Sequence, residues 1–228
     1  MGKVENTAVY NIYPAIMSIR NAMKSWDRSD TTVVDRRSWN DVDTLSFNHG
    51  IIGPVDMKLA LRLISRGGDE RKFLRSIHVN ADITVSRALW TEIDTYKVGT
   101  VRNSTSTMHS ILNKNLTQED FEGGIPDEML DRLNATIEQV KFYKSSSPND
   151  PEMESVRRRF AYLKHMLPEG YLMMANYDTN YESLLNMYHK RKTHYFLDWK
   201  PVTDWIISLP YMEEFYSAFV GDAEEATK

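Results

Sequence analysis

Two stretches of this chain carry side chains whose types and spacing suit chemistry on a planar, anionic ligand. The first is Thr95–His109, TYKVGTVRNSTSTMH, which holds eight hydroxyl or amide side chains, the cations Lys97 and Arg102, and Gly99. Hydroxyls, amides and backbone N–H groups converging on a Gly-containing turn can cradle a phosphate. The same composition also suits an ordinary surface loop. The second stretch is Thr179–His194, whose polar positions include Asn180, Glu182, Asn186, His189 and Arg191. Asn presents donor and acceptor together, which matches the edge of a planar heterocycle. Arg presents a fork of permanent positive charge, suited to a carbonyl or to an imide that must lose a proton. Taken alone, this second set reads first as the solvated face of a helix.

Other chemistries lack their residues. Cysteine is absent, which excludes disulfides, thiolate metal sites and a protein thiol as nucleophile. The histidines, at 49, 78, 109, 165, 189 and 194, show no HExxH or other ligand spacing, so no metal site is expected. No GxSxG, P-loop or GxGxxG is present. A net charge of −4 and a pI near 5.9 argue against a nucleic-acid partner, although RRR at 157–159 and HKRK at 189–192 are locally basic. No apolar run is long enough for a membrane span, and MGKVENTAVY lacks a signal-peptide core and a myristoylation site. A soluble, cytoplasmic protein with no membrane partner is expected. The 12 Met and the many aromatic residues serve chiefly to fill a core.

Apolar spacing predicts the elements that must position these residues. A first helix is expected over Tyr10–Trp26, then a short strand at 31–36 and a loop through Gly53. Pro54 suits the first position of a helix that stops at Gly67-Gly68. Strand is predicted for Ser76–Ile83, helix for about Val85–Tyr96, and helix again for Asp127–Lys144 and Glu152–His165, separated by the SSSPNDP break at 145–151. Gly170–Asn176 reads as a strand and Thr179–His194 as a helix, with Thr179 and Glu182 at capping-box spacing. Two further helices are expected around 201–208 and 211–219.

Together the two polar stretches resemble the flavin-dependent thymidylate synthases. That family's signature is RHRxxSxNExSxR, with an Arg upstream in a strand-to-helix turn. Arg87 holds the upstream position, and Thr95-Tyr96-Lys97 stands where RHR would be. Thr100 replaces the first Ser, Asn103 matches the Asn after one extra residue, Ser104 replaces Glu, Ser106 matches Ser, and Met108 replaces the final Arg. The family's second half reads approximately LPxxxxTxxxxTxNxRSLxxFxxLR. Leu167-Pro168, Asn180, Ser183-Leu184, Asn186 and Arg191 fall at matching positions without a gap, while Glu182 replaces the first Arg. The resemblance spans roughly residues 60–215.

The resemblance implies an α+β (mixed α/β) fold, a helix-rich protomer around a small, mostly antiparallel sheet, here as a single domain over 1–228. It implies a homotetramer with sites shared between protomers. It further implies reductive methylation of dUMP to dTMP, with methylenetetrahydrofolate as one-carbon donor and FAD reduced by NADPH. By position, Arg191 would be catalytic, supporting ionisation of the uracil N3. Glu92, Ser104, Thr105, Ser106 and Lys164 would contact dUMP, and Lys97, Asn103, Asn180 and Asn186 would contact FAD. Replacing RHR by Thr95-Tyr96-Lys97 removes two cations from the expected flavin-phosphate region, and Glu182 adds a negative charge there. Arg66, Arg71, Lys72 and Arg75 are candidates to restore the positive charge. The alternative is a non-catalytic or substrate-switched homologue that binds a pyrimidine nucleotide with weakened or no FAD binding.

Overall fold

The structure, a computed structural model, describes residues 1–33, 50–146 and 153–225. In chain order the elements are β1 (Lys3–Tyr10), α1 (Ile12–Ser18), β2 (Thr32–Val33), β3 (Gly50–Ile51), α2 (Pro54–Ser65), β4 (His78–Ser86), α3 (Arg87–Ile93), β5 (Val101–Ser104) and α4 (Thr107–Ser110). They continue with α5 (Asp127–Ser146), α6 (Met153–Met166), β6 (Leu172–Asn180), α7 (Tyr181–Arg191), α8 (Lys200–Ile207) and α9 (Met212–Glu225). Helices outweigh strands around a small antiparallel sheet of order β1-β4-β6-β5, an α+β fold as the sequence predicts.

The chain groups into two compact units, each assembled from separate segments. The first comprises residues 1–3, 83–95 and 103–175. Its core is the packing of α5 on α6, closed by Ile111, Leu116, Phe121, Leu133, Ile137, Leu163 and Leu167. Leu133 and Ile137 lie four apart, which places them on one helix face. The second unit comprises residues 4–82, 96–102 and 176–228, and its core joins α1, α2, α7, α8 and α9 through Ile16, Ala60, Ile64, Leu184, Leu185, Ile206 and Phe215.

In the second unit, α2 is anchored at its start by two carboxylates. Asp30 accepts hydrogen bonds from the backbone N–H groups of Val55 (2.8 Å) and Asp56 (3.0 Å), just after Pro54. Asp56 is fully buried and accepts from Arg20 Nε at 2.5 Å, from Ser29 Oγ at 2.6 Å and from the Thr31 backbone N–H at 3.2 Å. Burial opposes ionisation of Asp56, but the hydrogen bonds from Ser29 and Thr31 and the Arg20 guanidinium outweigh it and hold its carboxyl below the usual range.

The strand-to-helix transitions that matter for function have no intervening loop. Ser86, the last residue of β4, caps α3 by accepting from the Leu89 N–H. Asn180, the last residue of β6, caps α7 by accepting from the Ser183 N–H at 3.0 Å. A side-chain cap of this kind contributes about 1 kcal/mol.

Several boundaries depart from the sequence expectations. Lys3–Tyr10 is a strand, and the helix expected over Tyr10–Trp26 is only Ile12–Ser18, followed by 3₁₀ turns at Asn21–Met23 and Trp26–Arg28. Lys24 adopts a left-handed φ of 49°, which a continuing α-helix does not allow. Of the strand expected at 31–36, Thr32–Val33 pairs antiparallel with Gly50–Ile51, Thr31 lies before the strand, and residues 34–36 lie outside the described residues. The SSSPNDP break also lies largely outside them. The capping box expected at Thr179 does not form: Thr179 is buried in β6, and Asn180 caps instead. Among the described residues no helix is long and apolar enough to cross a membrane, and no group of three or more His, Asp or Glu is placed to hold a metal.

Candidate functional site

In the second unit, the segment Tyr96–Thr100 lies along α7 and touches both ends of it. At the first turn, Ser183 Oγ donates to the Val98 carbonyl at 2.9 Å, and Asn180 Nδ2 reaches the Gly99 carbonyl at 3.4 Å. Gly99 has a φ of +67°, and a Cβ there would stand 2.6 Å from Asn180 Nδ2. Glycine is therefore required twice over, by the left-handed backbone and by the close approach. Thr100 Oγ1 closes the turn onto the Tyr96 carbonyl at 2.9 Å and leaves Lys97 exposed on it.

At the last turn of α7, Arg191 donates from Nε to the Tyr96 hydroxyl at 3.1 Å, and its Nη1 lies 2.7 Å from His194 Nε2. The guanidinium stands 4.9 Å from the Trp199 ring and 5.9 Å from the Tyr96 ring. Trp199 is buried and meets Tyr96 edge-on, with centroids 6.3 Å apart. Arg191 thus enters a cage of two aromatic rings and an imidazole, an environment that suits a weakly hydrated planar cation.

The flanks of α7 carry the opposing charge. Glu182 accepts from Arg71 Nε at 3.2 Å and forms a second hydrogen-bonded ion pair with Arg75 Nε. The Glu182 pairing holds the Arg75 guanidinium above its usual range. Two of the four cations expected to restore positive charge, Arg71 and Arg75, are therefore engaged by the one acid that had removed it. Arg71 and Arg75 share the Glu182 carboxylate, and Asp69 adds a second negative charge near Arg75. Asn186 Nδ2 is turned back onto the Glu182 carbonyl at 2.9 Å. Two of the three asparagines expected at the flavin thus also serve α7 itself, Asn180 as its cap and Asn186 along its face.

In the first unit, Asn103 and Ser104 end the exposed strand β5. Thr105 follows, its N–H and Oγ1 both donating to the Met174 carbonyl at 2.9 and 3.0 Å. Ser106 precedes the single turn of α4, and Ser110 Oγ donates to the Ser106 carbonyl. Lys164, on α6, donates from Nζ to the buried Thr107 Oγ1. Burial, followed by the neighbouring Arg87 charge, pushes the Lys164 ammonium below the usual lysine range. Arg87 donates to the Leu167 carbonyl at 2.7 Å and pairs with Glu169 at 3.4 Å. Thr105 and Ser110 also line a cleft of about 520 Å³ with Thr84, Lys114, Asp120 and Tyr171. Burial and the Asp120 charge raise the Tyr171 hydroxyl above its usual range. Glu92 is half-buried on α3.

Thr105, Ser106 and Lys164 are therefore brought to one helical turn and its immediate approach, while Lys97, Asn180, Asn186 and Arg191 gather along α7. Sequence reasoning did not find Tyr96, His194 and Trp199 as partners of Arg191. The signal available was slight: Tyr96 stands where the family signature has His, and His194 follows Arg191 by three residues.

No protein-family model matches the chain, and no curated protein matches its sequence. Solved structures do. Thymidylate synthase X from Helicobacter pylori, crystallised with FAD and dUMP, superposes with a TM-score of 0.65 at 15% identity, covering 96% of this chain and 99% of the other. A second structure of the flavin-dependent thymidylate synthase from Helicobacter pylori, complexed with FAD and dUMP, gives 0.62 at 16% identity over 95% and 97% of the two chains. Along nearly its whole length, the chain has the fold of the flavin-dependent thymidylate synthases.

Proposed function

We propose that this chain is a divergent member of that family, a flavin-dependent enzyme that reductively methylates dUMP to dTMP with methylenetetrahydrofolate as one-carbon donor and NADPH as reductant. The observation that carries the reading is Arg191, retained at the position the family uses and presented by α7 in a cage of Tyr96, His194 and Trp199. A guanidinium cannot lose its proton near neutral pH, so Arg191 would stabilise a uracil imide as negative charge develops on it. Lys164 and the hydroxyls of Ser104, Thr105 and Ser106 would hold the nucleotide, with Glu92 as a further contact. Lys97, Arg71 and Arg75 would supply positive charge to a phosphate-bearing cofactor, with Asn103, Asn180 and Asn186 as polar contacts. Bound FAD would supply the hydride. A homotetramer with shared sites belongs to the same proposal, as does a single-domain organisation over 1–228 and a cytoplasmic location.

One observation favours a second reading. Glu182 neutralises one of the two guanidiniums it engages, which weakens the attraction for a flavin diphosphate. On that reading the chain binds a pyrimidine nucleotide without FAD and is non-catalytic or substrate-switched. Anaerobic purification, a visible spectrum and a dUMP-to-dTMP assay separate the two. The enzyme reading expects a flavin band and turnover, with Arg191→Ala lowering kcat by about 10²–10³ while the far-UV spectrum stays unchanged. Tight dUMP binding without flavin or turnover supports the second reading, and no affinity for either ligand defeats both.

A further inference from the structure

We infer that Tyr96 and His194 are positioning residues for Arg191, fixing its guanidinium in one orientation; the inference rests on the reading of Arg191 above. Two side chains accept from different edges of the guanidinium: the Tyr96 hydroxyl from Nε at 3.1 Å and His194 Nε2 from Nη1 at 2.7 Å. Trp199 supplies a face at 4.9 Å. An arginine side chain free to rotate loses considerable rotamer entropy when a ligand fixes it. Here the acceptors and the ring restrict that rotation before any ligand arrives, which is how a binding group is preorganised.

The contacts also assign the imidazole tautomer. Arginine has no acceptor, so His194 Nε2 must present its lone pair to Nη1. A neutral imidazole then carries its proton on Nδ1. The Phe196 backbone N–H lies 3.3 Å from that Nδ1 and is also a donor, so the two contacts cannot both be hydrogen bonds. The 2.7 Å contact, shorter and charge-assisted, prevails. Tyr96 is itself held, since Thr100 Oγ1 donates to its carbonyl and its ring meets the buried Trp199. The turn Tyr96–Thr100, fastened to the start of α7, therefore sets the direction of the arginine at its end.

The test uses ¹⁵N-labelled full-length protein, with the Arg191 Nε–H signal assigned through Arg191→Lys. The wild type is expected to show a slowly exchanging Arg191 Nε–H and an Nδ1-protonated His194. Tyr96→Phe should speed exchange of that proton roughly ten- to a hundredfold, the loss expected for a hydrogen bond to a charged group. His194→Leu should broaden the guanidinium signals, and His194→Gln, which keeps an acceptor at the end of the side chain, should restore them. Calorimetry with dUMP as the probe should follow the same order, weaker for Tyr96→Phe and His194→Leu and recovered in His194→Gln. An Arg191 signal unchanged in both Tyr96→Phe and His194→Leu, or a His194 protonated on Nε2, would overturn the inference. Should the wild type bind no dUMP, the assignment of Arg191 to a pyrimidine fails, and the spectra still decide whether Tyr96 and His194 position it.

Discussion

Gly99→Ala should destabilise the second unit by more than a generic glycine substitution, and the excess can be isolated. At φ +67° a non-glycine residue pays about 1–2 kcal/mol for the left-handed backbone. The added Cβ would stand 2.6 Å from Asn180 Nδ2, so the amide must move. That amide is 4% exposed, and its Oδ1 caps α7 on the Ser183 N–H. Displacing it removes about another 1 kcal/mol of capping, for a total near 2–3 kcal/mol. For a protein of this size that corresponds to a fall in Tm of roughly 4–12 °C. Gly123 provides the internal control, because it has φ +71° and a Cβ added there would meet nothing within 4 Å. Gly123→Ala should therefore show the backbone cost alone. Differential scanning calorimetry of both variants against the wild type gives the comparison directly. Equal losses in the two variants would refute the argument that the turn and the cap are locked together through Gly99.

Asp56→Asn leaves Arg20 buried without its anion and should cost about 3–5 kcal/mol, read by urea denaturation at neutral pH. Because the folded carboxyl of Asp56 titrates below its unfolded value, its contribution is present above the unfolded pKa and lost as pH falls through the folded one. The acid limb of the wild-type stability profile should accordingly be steeper than that of Asp56→Asn; superimposable limbs would count against the buried pair. Lys164→Met should weaken dUMP binding with little loss of Tm. In the wild type that binding should decline with rising pH earlier than an ordinary lysine would dictate, since burial and Arg87 lower the ammonium's pKa; calorimetry between neutral and alkaline pH tests this. Glu182→Gln frees Arg71 and Arg75 from their shared carboxylate and should tighten FAD binding in fluorescence titration. Unchanged affinity would remove those arginines from the cofactor site.

Where side chains had a face to bury, the sequence was readable. Ala60 and Ile64 on α2 and Leu184 and Leu185 on α7 are buried as their helical spacing requires. β5 left no such trace, because all four residues of Val101–Ser104 are exposed and an edge strand with nothing to bury has no apolar alternation. Lys3–Tyr10 was equally silent: its burial follows no strict alternation, and Asn6 interrupts it with a φ of 50°. At the start of α7 two good capping residues stand side by side. Strand β6 runs on through Thr179, so the helix starts at Tyr181 and the residue directly before it, Asn180, becomes the cap. The Arg191 cage was beyond local pattern, since Tyr96 lies 95 residues away along the chain.

The two loopless junctions, Ser86–Arg87 and Asn180–Tyr181, bear on which insertions and deletions the chain can tolerate. One residue added at Asn180 would turn α7 by about 100°, carrying Arg191 off its partners. One removed from β6 would exchange its buried and exposed faces. The extra residue relative to the family signature falls away from both junctions, before Asn103, where β5 exposes all four of its residues and a shift of register turns no buried face outward. Length variation among relatives should therefore avoid the residues on either side of both caps.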